Sequence, residues 1–142
     1  MAEANRFVWP LRVYYEDTDA GGVVYHAGYL RFMERARTEW LRALDCEQGV
    51  LRSDHDRLLA VRSVQIDFLQ PARFDDRLQV VTVIHRLGRA SIVFDQRIFR
   101  DEEGEPLCHA MVKVACLSAS GFRPAPIPAW LLGRFPPLES TT

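Results

Sequence analysis

The sequence predicts an α+β fold in which a curved antiparallel sheet of about five strands wraps around one long helix. Three observations point there. Residues 26–44 carry the spacing of a long amphipathic helix. Five other stretches alternate apolar with polar residues or are rich in β-branched and aromatic types, with turn-forming residues between them. The helix is apolar over more than half its circumference, more than a flat sheet would cover, so the sheet is expected to curl around it.

The elements follow in order. Residues 7–15 read as a strand whose first half is an edge or a bulge because of Pro10. Residues 16–22, Glu-Asp-Thr-Asp-Ala-Gly-Gly, are a turn by composition. In the helix the apolar positions are Tyr29, Leu30, Phe32, Met33, Ala36, Trp40, Leu41 and Leu44; Leu30, Met33, Arg37, Trp40, Leu41 and Leu44 recur at three- and four-residue steps, and only Arg37 breaks this row. Strands are expected at 59–69, 77–87, 90–100 and 105–117. The third of these alternates cleanly through Ile92, Phe94, Gln96 and Ile98, and Asp101-Glu102-Glu103-Gly104 reads as the hairpin turn after it. A sheet around a single helix leaves an outer face and two edges open, which favours association into a homo-oligomer.

With 142 residues, 48% of them hydrophobic and 26% charged, the chain has enough apolar material for one core, so a single domain over 1–142 is expected. Its Pro-rich segment 118–142 should wrap the outside and fray at 139–142. The net charge of -1 argues against nucleic acid as the main partner. Cys46, Cys108 and Cys116 have no CxxC spacing and read as reduced, buried thiols. The first residues lack the apolar stretch of a signal peptide, and no apolar run approaches the ~20 residues that span a bilayer. A cytoplasmic protein is the expectation, with no metal and no cofactor.

The densest chemical signal is residues 14–37. Acidic side chains end a strand, and Gly21-Gly22 then swings the backbone into the start of the long helix. The free N–H groups of a helix's first turn carry partial positive charge and can hold an anion or polarise a carbonyl. A carboxylate folded back towards them, Asp17 or Asp19, would supply a base or nucleophile beside an electrophile activator. The bland reading is that both aspartates cap the turn and the glycines supply positive φ. Composition leaves both readings open.

This stretch resembles the 4-hydroxybenzoyl-CoA thioesterase family of the hotdog-fold superfamily, and within it the YbgC-type acyl-CoA thioesterases. The resemblance is nearly unbroken from Arg12 to Arg42 (RVYYEDTDAGGVVYHAGYLRFMERARTEWLR) and continues more weakly through VQIDFLQPARFDD and RPAPIPAWL, so it covers nearly the whole chain. It implies the hotdog fold, a curved sheet around a central helix. It implies hydrolysis of short- to medium-chain acyl-CoA, with acyl carrier protein thioesters as a second substrate class. It puts the catalytic carboxylate on Asp19, as nucleophile or as general base, and the carbonyl-polarising N–H on His26, whose imidazole would assist. Gly22 and Tyr25 would shape the turn. A cleft between subunits of a dimer, or of a dimer of dimers, is implied too. Gly28 and Met33 differ from the residues most usual in the pattern and are expected to stand away from the chemistry.

Other candidates weigh less. Glu34, two turns after His26, either reaches the site as a substrate-binding group or pairs with Arg31, Arg35 or Arg37. Asp17 reads as a turn cap. Arg86, Arg89 and Arg123 are candidates for the CoA phosphates, Arg89 foremost because it follows Gly88 at a strand junction. His55, in Asp-His-Asp, reads as a solvated loop residue, and His85 and His109 as structural. Two rivals to hydrolysis remain. One is a hotdog hydratase or dehydratase of 3-hydroxyacyl thioesters, which would resemble Gly-Asp-x-Asn-Pro followed by His, a pattern this chain lacks. The other is a non-catalytic module that docks acyl carrier protein or an envelope complex.

Overall fold

A computed structural model of the chain describes residues 5–100 and 104–138. Residues 1–4, most of the expected hairpin turn (101–103) and the terminus expected to fray (139–142) lie outside the described residues. The elements run β1 (Arg6–Arg12), α1 (His26–Ala43), α2 (Gln48–His55), β2 (Arg57–Phe68), β3 (Arg77–Leu87), β4 (Ser91–Arg100), β5 (Cys108–Ser118) and α3 (Ala129–Leu132). The five strands form one antiparallel sheet in the order β1-β3-β4-β5-β2. The expected α+β architecture is what the chain adopts, a five-stranded sheet curved around one long helix.

The helix lies on the face of the sheet where alternate residues are buried. On β3 these are Leu78, Val80, Thr82 and Ile84, and on β4 Ile92, Phe94, Gln96 and Ile98. α1 answers with Tyr29, Phe32, Met33, Ala36, Trp40 and Leu41. Of the apolar helix positions expected from the sequence these six are buried, while Leu30 is exposed and Leu44 half-buried. Phe7 of edge strand β1 stacks on Trp40 with ring centroids 6.0 Å apart, closing the sheet over the C-terminal half of the helix.

A buried polar cluster fixes the helix in this seat. Gln96 and Thr82 are fully buried. Gln96 Nε2 donates to the Met33 carbonyl at 3.0 Å and to Thr82 Oγ1 at 2.9 Å, and Gln96 Oε1 accepts from Arg37 Nη1 at 2.9 Å. Every buried side-chain polar atom among the described residues has a partner, so the cluster costs little to bury while it specifies one orientation of α1.

Several element bounds depart from the sequence reading, the first being β1, which is expected to run to 15 but ends at Arg12 because the chain turns into a 3-10 helix at Tyr15–Asp17. α2 occupies a stretch expected to be loop, and His55 closes it with its ring 5.0 Å from that of Trp130. β2 begins at Arg57 rather than 59, and β5 begins at Cys108 rather than 105. The segment after β5 runs back along the molecule through Ala125 N–H to Cys116 O at 3.0 Å and Ile127 N–H to Arg89 O at 2.9 Å. Arg134 covers Trp130 at 4.7 Å and donates to the Asp45 carbonyl. All three cysteines are buried, as expected, and burial pushes the Cys108 thiol up to about 12.

Replacing Gln96 with Leu removes the second hydrogen bond to the Met33 carbonyl, which keeps its intrahelical one, and leaves the Thr82 hydroxyl and an Arg37 N–H without their partner. The expected loss is about 3 kcal/mol of stability. Thermal unfolding should then fall by on the order of 10 °C. A midpoint unchanged within 2 °C, roughly the shift that 0.5 kcal/mol gives, contradicts the role assigned to the cluster.

Candidate active site

The chain leaves β1 through a 3-10 turn, Tyr15–Asp17, and enters α1 through a tight loop. Asp17 is buried. Its Oδ2 accepts the Tyr14 N–H at 2.8 Å, and its Oδ1 stands 4.0 Å from Arg31 Nη2. It is the turn cap the sequence suggested. The loop then closes as a small hairpin, with Thr18 bridged to Val24 and the Asp19 N–H donating to the Val23 carbonyl at 2.9 Å. At its tip the Gly22 N–H donates to Asp19 O at 2.9 Å, and Gly22 has φ +81, a conformation that suits glycine and strains other residues.

Asp19 differs from Asp17 in the way that matters for chemistry. Its side chain is exposed, and Oδ1 accepts the Gly21 N–H at 2.8 Å. One oxygen is thereby oriented while the other remains open for a substrate or a water. Asp19 thus caps the turn, and that bond holds one of its carboxylate oxygens in place.

α1 begins at His26. Tyr25 occupies the N-cap position without a side-chain cap bond, and the first turn holds no acidic residue. The Gly28 N–H bends back to Tyr25 O at 2.7 Å, so His26 and Ala27 carry the first turn's free amides. This uncapped end is what an oxyanion requires: N–H donors with the helix dipole behind them and no side chain occupying them. Gly28 is part of the construction rather than remote from it. A Cβ there would come within 2.9 Å of Val24 Cγ1 and 3.7 Å of Asp17 O, so its absence lets the loop pack on the helix start.

Aromatic rings wall this end. His26 stacks on Phe68 of β2 at 4.5 Å, Tyr25 lies 6.1 Å from His26, and Tyr29 is tilted against Phe68 at 5.4 Å. Tyr29 Oη accepts the Ala72 N–H at 2.9 Å, and the Ala72 carbonyl accepts the Val24 N–H at 2.8 Å. Burial is the main cause that raises the Tyr29 pKa, which keeps this phenol neutral. Tyr29 and Phe68 were not singled out from the sequence. Tyr29 falls one helical turn after Tyr25 in the motif, which is the signal that could have marked it.

The remaining sequence candidates lie elsewhere in the chain. Glu34 pairs with none of the neighbouring arginines; its Oε2 accepts the Thr38 hydroxyl at 2.7 Å. It stands about 12 Å beyond His26 along the helix, at ~1.5 Å per residue. Arg89 sits in the β3–β4 turn. β4 runs from there to Arg100, a span of about 30 Å at ~3.3 Å per residue. Only at the far end does Ile98 pair with Cys108 and Cys108 with Phe68, the residue that touches His26. Arg86 and Arg123, near the ends of β3 and β5, share the Arg89 end. One chain therefore brings Gly22, Asp19, Tyr25 and His26 into one loop and helix start, and holds Arg89 at the opposite end of the sheet.

Comparison with known proteins agrees with this architecture. The family profile of the thioesterase-like superfamily matches residues 13–135. The acyl-CoA thioesterase YbgC of Haemophilus influenzae is 46% identical over 124 residues, which cover 87% of this chain and 90% of that one. The acyl-CoA thioester hydrolase YbgC of Escherichia coli O157:H7 is 43% identical over 129 residues, covering 91% and 95%. The crystal structure of a 1,4-dihydroxy-2-naphthoyl-CoA thioesterase from Synechocystis superposes with a TM-score of 0.85 at 28% identity, over 92% of this chain and 95% of that one. A curved sheet around one helix, an uncapped helix start beside an acidic loop, and this degree of identity along nearly the whole chain lead to one assignment: the chain belongs to the YbgC-type branch of the hotdog-fold thioesterases.

Proposed function

We propose that the protein hydrolyses acyl-CoA thioesters to a free acid and CoA thiol at the junction of the Asp19 loop and the start of α1. The observation that carries this reading is that an oriented, exposed carboxylate stands on the loop that leads into an uncapped helix start. The thioester oxygen is held by the free amides at His26 and Ala27, which favour the charge that develops on it. Asp19 either attacks the carbonyl carbon, forming an anhydride that water then opens, or takes a proton from the water that attacks. In both routes the C–S bond breaks, the thiolate leaves and is protonated, and one water is consumed. The His26 ring, stacked on Phe68, stands at the same point and supplies a second polar contact. Short- to medium-chain acyl groups and a cytoplasmic location belong to this proposal, as do acyl carrier protein thioesters as a second substrate class.

A second copy completes the site in this reading. Among the described residues edge strand β2 is paired on one side only, by β5, which leaves the other backbone edge of its 12 residues for a second copy. Pairing two copies through β2 gives a homodimer and lets Arg89, with Arg86 and Arg123, serve the CoA phosphates of the neighbouring copy's site.

Two measurements test these statements. With a graded acyl-CoA series and thiol release as the readout, Asp19→Asn is expected to lower kcat by about 10²–10⁴. His26→Ala, which keeps the backbone amides, should lose less. Native protein that releases no thiol, or an Asp19→Asn variant as active as native, contradicts the proposal. Mixing tests the shared site: Asp19→Asn and Arg89→Glu protein, each impaired alone, should regain activity after joint refolding, since one copy then supplies Asp19 and the other Arg89. No recovery in mixed oligomers contradicts a site built across two copies.

A further inference from the structure

Exposed apolar side chains of α1 and β2 mark out a groove from His26 along the helix. At about 100° per residue, Leu30, Met33 and Arg37 stand within roughly 40° of His26 and form one row on the helix. Facing it, β2 turns Leu59, Val61, Val64, Ile66 and Phe68 to the helix side, because each lies directly opposite a buried residue of β5. α1 leaves this apolar row uncovered: Val61 is 50% exposed, Phe68 41% and Leu30 39%. The groove begins at the His26–Phe68 stack. It ends in a cleft of about 110 Å³ with Glu34, Arg37, Thr38 and Gln48 on one side and apolar residues such as Leu59 and Val61 on the other.

Arg37 is unusual in this cleft. It is half-buried, and that burial lowers its pKa despite the opposing effect of Glu34. One Nη donates to Gln96 Oε1, and among the described residues Arg37 makes no ion pair. A guanidinium has five N–H donors; one of those on Arg37 meets Gln96, and the ones without a protein acceptor open on the cleft, since no fully buried side-chain polar atom among the described residues lacks a partner. Glu34 beside it has one oxygen held by Thr38, which itself accepts from Gln48 Nε2 at 3.1 Å. The other carboxylate oxygen is open. An apolar groove thus ends in unused donors and an unused acceptor of opposite charge.

We infer that this cleft is the far end of the acyl-binding groove, where Arg37 and Glu34 select acyl chains whose free end carries a hydroxyl. The inference rests on the reading that His26 holds the thioester carbonyl. A hydroxyl both donates and accepts, so it satisfies Glu34 and Arg37 together. A methyl end leaves the Arg37 donors facing hydrocarbon, and a carboxylate end meets the like charge of Glu34. The length follows from the helix. Glu34 lies about 12 Å beyond His26 at ~1.5 Å per residue, and helical side chains lean back towards the N-terminus. Three bonds of extended chain cover about 3.6 Å, so roughly eight to ten carbons bridge the distance.

The test compares kcat/KM for butyryl-, octanoyl- and 8-hydroxyoctanoyl-CoA. Native protein should prefer 8-hydroxyoctanoyl- over octanoyl-CoA by about tenfold, the worth of one good hydrogen-bond pair. Arg37→Met should abolish that preference. Because Arg37→Met also removes a bond to Gln96, Val61→Trp serves as the second variant. It narrows the cleft from the β2 side and should lower the octanoyl-to-butyryl ratio. No end-group preference in native protein, a preference that survives Arg37→Met, or an unchanged chain-length ratio in Val61→Trp overturns the proposal. A Val61→Trp variant that loses self-association while keeping its chain-length ratio shows that a second copy fills the groove, and also overturns it. Calorimetry with the non-hydrolysable S-octyl- and S-(8-hydroxyoctyl)-CoA thioethers separates the two readings. Discrimination in Kd without any hydrolysis defeats the hydrolase reading and upholds this subsite, whereas equal Kd values defeat the subsite.

Discussion

Ala72 ties together the parts on which the candidate site depends. Its N–H donates to Tyr29 Oη and its carbonyl accepts the Val24 N–H, so one buried peptide segment joins α1 to the loop that carries Asp19. Both bonds lie where water does not compete, which strengthens them relative to the same bonds at a surface. Gly28 lets the loop approach the helix, since a side chain there would meet Val24 at 2.9 Å. With the loop drawn in, Asp17 serves the turn, Asp19 is left outside, and the amides of His26 and Ala27 open on the same end of the molecule as the Phe68 ring. The separation of roles between two aspartates two residues apart is a consequence of this tie. The inner one is buried and meets the Tyr14 N–H and Arg31, and the outer one meets the Gly21 N–H and solvent.

The Gln96 cluster does for the middle of α1 what Ala72 does for its start. A helix lying in an apolar trough can slide or turn at little cost, since hydrophobic contacts have no direction. Hydrogen bonds from Gln96 to the Met33 carbonyl and to Thr82, with Arg37 on its other side, remove that freedom. The rotation they fix puts Tyr29, Phe32 and Ala36 under the sheet and leaves Leu30 and the helix-facing row of β2 uncovered. The groove and the unusual position of Arg37 are therefore the other side of the same constraint.

Much of this could be read from residues. The helix was expected to begin at His26 and does, because Gly21-Gly22 ends the preceding turn and the apolar spacing starts there. The strand alternation in 90–100 located β4 nearly to the residue. The alternation also put Gln96 in the buried row, but pattern alone does not say that a polar member of such a row bonds across to a helix carbonyl. α2 escaped because its eight residues, with Gly49, Ser53 and Asp54 among them, bury only Leu51 and show too little periodicity. The place of Arg89 depends on long-range information: the strand order and the end of the β3–β4 hairpin that meets the helix start are set by pairing between residues far apart in sequence. Asp19, Gly22, Tyr25 and His26 form one continuous stretch and come together locally, while the groove needs β2 and α1 packed side by side.

The central claim is that the start of α1 withdraws electrons from a bound thioester carbonyl. The direct measurement is the carbonyl stretching frequency of an acyl-CoA labelled with carbon-13 at the carbonyl, bound to the Asp19→Asn variant and read by difference infrared spectroscopy. Donation from the His26 and Ala27 amides predicts a frequency below that of the same thioester in water. A frequency equal to or above the water value would mean that the helix start does not touch the carbonyl, and would contradict the account.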